Sequence, residues 1–258
     1  YEGATPQVID AWKVIDKDTI IVASANRIWK TTDMGAHWIE TEATDIASTE
    51  SVVDLQLWND TTVLVGTDGG NVYMCQNWET DFSFTQVDAG PGIALDQVHV
   101  AFDANYDDTG IIYAGVNGDA TTQGIWRIDA NGGDAWEQID AGDDDILAIA
   151  CDGNGVLWAI ADRGVATWPI GGPLYRSTSL REVNPTAPID DLNPEYVITG
   201  LTSNLWADLE TAPTQTYVFA IGGVGNTELW AYIDTLIKPT LISPANGATA
   251  AGTILQGN

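Results

Sequence analysis

Basic side chains are scarce in this chain. Only nine of its 258 residues are Lys or Arg, against 37 Asp or Glu, for a formal net charge of −28 at pH 7. A surface this acidic repels phosphate backbones and anionic membranes, so neither nucleic acid nor a charged bilayer is expected as a partner. Cysteine is nearly missing. Cys75 and Cys151 cannot form a disulfide framework in a chain of this size, and their places in non-neighbouring repeats point to two thiols rather than a bond. The only histidines, His37 and His99, lack the spaced partners that a transition-metal site demands. No apolar run reaches the ~18 residues of a membrane-spanning helix, so no membrane insertion is expected. No signal peptide is recognisable, and because the chain begins at Tyr1 a leader or preceding domain is expected to have been removed. No glycine-rich loop leads into a helix, since Gly69-Gly70 and Gly171-Gly172 read as hairpin glycines, which removes a phosphate cradle.

What the chain has is a repeat. The apolar cassette Thr19–Ser24 returns as Thr62–Thr67, Gly110–Gly115, Gly155–Ile160 and Thr216–Ile221. The interval is roughly 45 residues, lengthening to about 60 for the last, as expected of four-stranded propeller blades. Each of the first four cassettes follows a strand and a polar turn: Asp16-Lys17-Asp18, Asn59-Asp60-Thr61, Asp107-Asp108-Thr109 and Asp152-Gly153-Asn154. These read as hairpins between an innermost strand and the next. After the cassette comes a branched residue and an aromatic, Ile28-Trp29, Val72-Tyr73, Ile125-Trp126 and Leu229-Trp230, with Thr167-Trp168 as the nearest counterpart in the fourth repeat. With 45% hydrophobic residues there is enough apolar surface for a real core. The expectation is an all-β fold, a β-propeller of about five four-stranded antiparallel blades over residues 1–235.

The turn after the third strand of the first repeat has its own pattern. Thr31-Thr32-Asp33-Met34-Gly35-Ala36-His37-Trp38 resembles the Asp-box, [S/T]-x-D-x-G-x-x-W, of BNR/sialidase-like β-propellers. Each position has a mechanical reason. The Asp33 carboxylate can accept backbone N–H bonds, Gly35 supplies positive φ, and Trp38 plugs the blade. In the third repeat Asp129 stands at the hydroxyl position of Thr31, Asn131 takes the Asp role, and Gly133 and Trp136 are in register. The second repeat has a degenerate copy from Asn77 to Phe84, and the last two have lost it.

The resemblance implies a choice between scaffold and enzyme. Sialidase chemistry needs three arginines converging on a carboxylate, a Tyr nucleophile backed by Glu, and an acid–base Asp. The arginines here are Arg27, Arg127, Arg163, Arg176 and Arg181, and the first two fall at equivalent outer-strand positions. Trp12, Trp58, Trp158 and Trp206 read as packing, with a sugar platform as the alternative. Calcium is the ion that suits the acids. Asp103, Asn105, Asp107 and Asp108 crowd one hairpin, and Asp143, Asp144 and Asp145 crowd the link to the fourth repeat. Asn59 opens a glycosylation sequon on a turn.

Two segments depart from the repeat. Thr178–Glu195, with three prolines, reads as an irregular insertion. Residues 236–258 resemble the linker and first strand of an immunoglobulin- or fibronectin-III-like module, so the chain is expected to be part of a longer multidomain protein. The functional expectation is a non-enzymatic extracellular module of a cell-surface, surface-layer or envelope protein. Its partners would be other copies of itself or other envelope proteins and glycans. The alternative is a secreted carbohydrate-binding or glycoside-hydrolysing propeller using Asp68, Asp119, Asp143 and Asp162 on neighbouring loops.

Overall fold

The computed structural model of the chain describes residues 8–40, 45–59, 61–87, 97–118, 122–132, 135–140, 145–153, 155–162, 174–177, 208–211, 217–222 and 228–233. Within them the apolar runs and polar turns fold into five antiparallel sheets, each a meander of consecutive strands. The first holds β1 (Ala11–Val14), β2 (Ile20–Ser24), β3 (Arg27–Thr31) and β4 (Ile39–Glu40). The second holds β5 (Val52–Trp58), β6 (Thr62–Thr67), β7 (Val72–Gln76) and β8 (Thr85–Gln86). The third holds β9 (Gln97–Phe102), β10 (Ile111–Asn117), β11 (Gly124–Asp129) and β12 (Glu137–Asp140). Three strands are described in the fourth, β13 (Asp145–Cys151), β14 (Leu157–Asp162) and β15 (Leu174–Ser177), and three in the fifth, β16 (Asp208–Thr211), β17 (Tyr217–Gly222) and β18 (Glu228–Ile233).

The first strand of each sheet packs beside the first strand of the next, β1 on β5, β5 on β9, β9 on β13 and β13 on β16. Sheets that meet at their first strands and fan outward are the blades of a propeller. The core therefore lies between blades. Ile21, Ala23 and Ile28 of the first blade bury against Leu55, Val65 and Tyr73 of the second. Leu64, Val72 and Met74 of the second meet Val100, Ile112 and Ala114 of the third. Tyr113 and Ile125 of the third meet Ile149, Leu157 and Ala159 of the fourth.

Strand pairing corrects the cassette alignment. One cross-strand row recurs in every blade: Trp12–Val22–Trp29, Leu55–Val65–Tyr73, Val100–Ala114–Trp126, Ile149–Ala159–Tyr175 and Leu209–Ala220–Trp230. Val22 and Val65 thus correspond to Ala114, Ala159 and Ala220, one residue later than the sequence alignment puts them. A one-residue slip exchanges the two faces of a strand. The aromatic of the fourth blade is accordingly Tyr175, while Thr167 and Trp168 fall outside the described residues.

One helical turn, α1 (Tyr106–Thr109), stands between β9 and β10. It ends at Gly110, whose φ of 65° lets its N–H bond back to the Tyr106 carbonyl. Cys75 is a buried thiol on β7, and Cys151 is a half-buried thiol ending β13. No helix is long and apolar enough to cross a membrane among the described residues. The expected insertion at 178–195 and the expected module at 236–258 lie outside them.

Candidate functional site

In the first blade the four residues singled out in the sequence meet in one turn. The Thr31 hydroxyl donates to Asp33 Oδ1 at 2.9 Å and accepts the Gly35 N–H at 2.9 Å. Asp33 Oδ1 also accepts the His37 N–H at 2.8 Å, and its Oδ2 lies 2.6 Å from His37 Nδ1. Gly35 has φ 87°, a conformation that a side chain would strain. A Cβ there would stand 3.7 Å from the Trp38 ring. Both carboxylate oxygens of Asp33 are therefore used within the turn.

These bonds, led by that from the His37 ring, hold the Asp33 carboxyl down to about 2. A depressed carboxyl stabilises the folded turn above its ordinary pKa, and that contribution is lost as pH falls through about 2. Carbon-detected NMR is expected to place the Asp33 midpoint near 2 and to find it raised towards 3.8 in His37→Ala.

In the third blade Asp129 accepts the N–H groups of Asn131 and Gly132, each at 2.9 Å. Asp129 thus receives the amide two residues on, as the Thr31 hydroxyl receives that of Asp33. The Trp136 indole donates to the Val87 carbonyl at 3.3 Å, which ties this turn to the second blade. Gly133 lies outside the described residues.

Among the described residues, the acids proposed for calcium form no group of three. Asp103 is fully buried and accepts the Asn105 N–H at 2.8 Å and the Tyr113 hydroxyl at 3.0 Å. Asp107 accepts the Trp58 indole N–H at 2.7 Å and the Asn59 amide at 2.9 Å, both from the second blade. The same contact places the sequon residue Asn59 at a hairpin turn with φ 46°. Asp108 sits in α1, and Asn105 is the residue before it. Asp145 accepts the Gly118 N–H at 3.2 Å, while Asp143 and Asp144 lie outside the described residues. Among the described residues no three His, Cys, Asp or Glu side chains are grouped to hold a metal ion. Of the four loop acids in the glycosidase alternative, Asp68 accepts the Ser51 N–H at 2.6 Å, and the side chains of Asp119, Asp143 and Asp162 are not described.

The two arginines whose side chains are described sit at blade edges. Arg27 pairs with Glu40 at 2.8 Å across β3 and β4, and Arg127 with Glu137 at 2.8 Å across β11 and β12. Trp158 is buried, Trp58 packs on Phe102 and Tyr106, and Trp12 is exposed. A cleft of about 520 Å³ opens between the second and third blades, lined by Gln76, Asp81, Ser83, Gln86, Ile128 and Asp129 among others. Its carboxamides, hydroxyl and two carboxylates can hydrogen-bond a polar ligand.

Two buried polar groups, Glu50 and Lys30, escaped the sequence reading. Glu50 accepts the Asn71 amide at 2.6 Å, the Thr67 hydroxyl at 2.8 Å and the Tyr73 hydroxyl at 3.3 Å. Lys30 donates to the Trp78 carbonyl, with its ammonium over the Trp78 and Phe82 rings, and burial lowers its pKa. Burial also raises the Cys75 thiol to about 11, which keeps it protonated and inert. These partners lie up to 48 residues apart in sequence, beyond the reach of any local pattern.

No protein-family model matches the chain, and no curated protein matches it. Solved structures do. The extracellular domain of the one-component system BT4673 from B. thetaiotaomicron superposes with a TM-score of 0.59 and 16% identity, over 90% of this chain and 28% of that one. The GH74 enzyme of Niastella koreensis gives 0.55 and 13%, over 83% and 34%. The GH74 xyloglucanase from Xanthomonas campestris gives 0.53 and 15%, over 83% and 34%. The chain spans about a third or less of the length of these structures. The likeness establishes the fold that the strand meanders and first-strand contacts describe, a β-propeller architecture of antiparallel blades.

Proposed function

We propose that the chain is a non-enzymatic module of a large extracellular protein of the cell surface, a surface-layer or envelope component. Its Asp-box-type turns, including the Gly133 position, serve as architecture. The observation that carries this reading is the occupation of the acids. Asp33, Asp103, Asp107 and Asp129 each accept hydrogen bonds from their own turn or the neighbouring blade. Arg27 and Arg127 brace outer strand pairs, whereas a sialidase centre would need arginines converging on substrate. The extreme acidity supports an extracellular setting, and so does the likeness to the extracellular domain of BT4673. Partners would be further copies of the chain or envelope proteins and glycans. Calcium belongs to the same proposal as a bridge between acidic surfaces, with Asp143, Asp144 and Asp145 as its nearest candidates. Chelator is then expected to disperse assemblies of the chain, and assemblies indifferent to chelator remove the ion from the proposal.

The inter-blade cleft favours a second reading, a secreted carbohydrate-binding or glycoside-hydrolysing propeller. Incubation with a glycan library decides between them. The module reading expects no hydrolysis. Cleavage that disappears on changing one cleft acid, Asp81→Asn or Asp129→Asn, overturns it in favour of the second.

A further inference from the structure

The hairpin between β5 and β6 spends its turn side chain differently from its counterparts. In the first, third and fourth blades an aspartate closes the turn on itself: Asp16 accepts the Asp18 and Thr19 N–H groups, Asp103 that of Asn105 and Asp152 that of Val156. In the second blade Trp58 pairs with Thr62, and the connecting triplet is Asn59-Asp60-Thr61. Asn59 is exposed, with φ 46°, and its side chain reaches the next blade instead of its own turn. Its Nδ2 donates to Asp107 Oδ2 at 2.9 Å, while the Trp58 indole takes Oδ1 at 2.7 Å. A carboxamide offers two N–H groups and an oxygen. Among the described residues Asp107 engages one of those N–H groups, and the other N–H and the Asn59 oxygen make no hydrogen bond. The Thr61 hydroxyl makes none among them either.

We propose that Asn59 is the acceptor of an N-linked oligosaccharide, with Thr61 as the hydroxyl residue that a transferase reads two positions on. The acceptor pattern, Asn-x-Ser/Thr without proline at x, occurs once in the 258 residues, because Asn184-Pro185-Thr186 carries the excluded proline. The co-reactant is a sugar held on a lipid through a diphosphate. Asn59 Nδ2 attacks the sugar C1, the C1–O bond to the diphosphate breaks, and one Nδ2 proton leaves to a base of the transferase. The product amide keeps one N–H, which is what the bond to Asp107 requires. Glycan and inter-blade clasp are therefore compatible, and the sugar leaves the surface at the junction of the second and third blades. The site rests on export of the chain, as the module reading has it, and not on whether the chain hydrolyses anything.

Secretion of the full chain from cultured eukaryotic cells tests it, with glycopeptides read by mass spectrometry and stability by denaturant midpoint. Asn59 is expected to carry a glycan on most chains. Thr61→Ala removes no hydrogen bond made among the described residues, so it is expected to lose the glycan and keep the midpoint of the wild-type fold. Peptide amidase releases the sugar and leaves a carboxylate where the carboxamide stood. That carboxylate faces Asp107, so the released chain is expected to unfold at lower denaturant than the glycan-bearing one, and Asn59→Asp, which is never glycosylated, should match it. The shift should vanish on an Asp107→Asn background. A secreted, folded wild type with Asn59 bare overturns the proposal. So does a glycan-bearing chain less stable than Thr61→Ala, since the sugar would then be breaking the clasp. Because the cells impose export, a bare Asn59 leaves the module reading intact, whereas cleavage of the glycan library removes that reading and leaves this site standing.

Discussion

Gly66→Ala is expected to destabilise the chain by about 3 kcal/mol, read as a lower denaturant midpoint at unchanged slope. Gly66 lies on β6 where β9 crosses it, and a Cβ there would stand 1.9 Å from the Val98 carbonyl oxygen and 2.8 Å from its carbon. Both atoms are backbone, so no rotamer change relieves the overlap. The blades would have to part, opening the core of Leu64, Val100 and Ala114 between them. Gly115 holds the same register position in the third blade, but the nearest atom to its Cβ is the Ile146 Cγ2 methyl at 2.4 Å. A side chain can give way, so Gly115→Ala should cost less, about 1 kcal/mol. Equal losses at the two sites would mean that blade spacing is set elsewhere.

Glu50→Ala carries the second large effect, about 3 kcal/mol, because it removes the buried acceptor that three donors share. The Thr67 hydroxyl has a second acceptor in the Asn71 carbonyl at 3.2 Å, and the Asn71 amide a weak one in Gly69. The Tyr73 hydroxyl, at 3.3 Å from Glu50, depends on the carboxylate most. Burial first, and then the Glu50 charge, raise the Tyr73 pKa. Alanine removes the charge, so tyrosinate absorbance of Tyr73 should appear at lower pH in Glu50→Ala than in wild type. Glu50→Gln keeps the volume and one acceptor oxygen and should cost about half as much. Gly69 fits this arrangement, since a Cβ there would lie 2.3 Å from Glu50 Cγ.

The parts of the fold legible in the sequence are those encoded locally. The polar turn at Asp16 is one: its carboxylate accepts the Asp18 and Thr19 N–H groups at 2.7 and 2.8 Å, all within four residues. The turn from Thr31 to Trp38 is another. Register was not legible, for a definite reason. β6 is buried at all six positions and β10 at five of seven, so their residues show no alternation to tell one face from the other. The sequence alignment matched Gly110 and Gly155 to Thr19, and nothing in an all-apolar run could reveal the slip. α1 hid for a similar reason, since Asp107-Asp108-Thr109 is as good a hairpin turn as a helical one. The contacts between blades were out of reach altogether. Asp107 looked like a metal ligand because its neighbours in sequence are acidic, whereas its neighbours in space are Trp58 and Asn59.

The outermost strands described in the first two blades, β4 and β8, are two residues each. A rim so brief offers almost no ladder of free amides and carbonyls on which an extended peptide could be laid down. Cross-β growth from these two edges is thereby starved of a template, and chains crowded at high density can meet along them without fusing into fibrils.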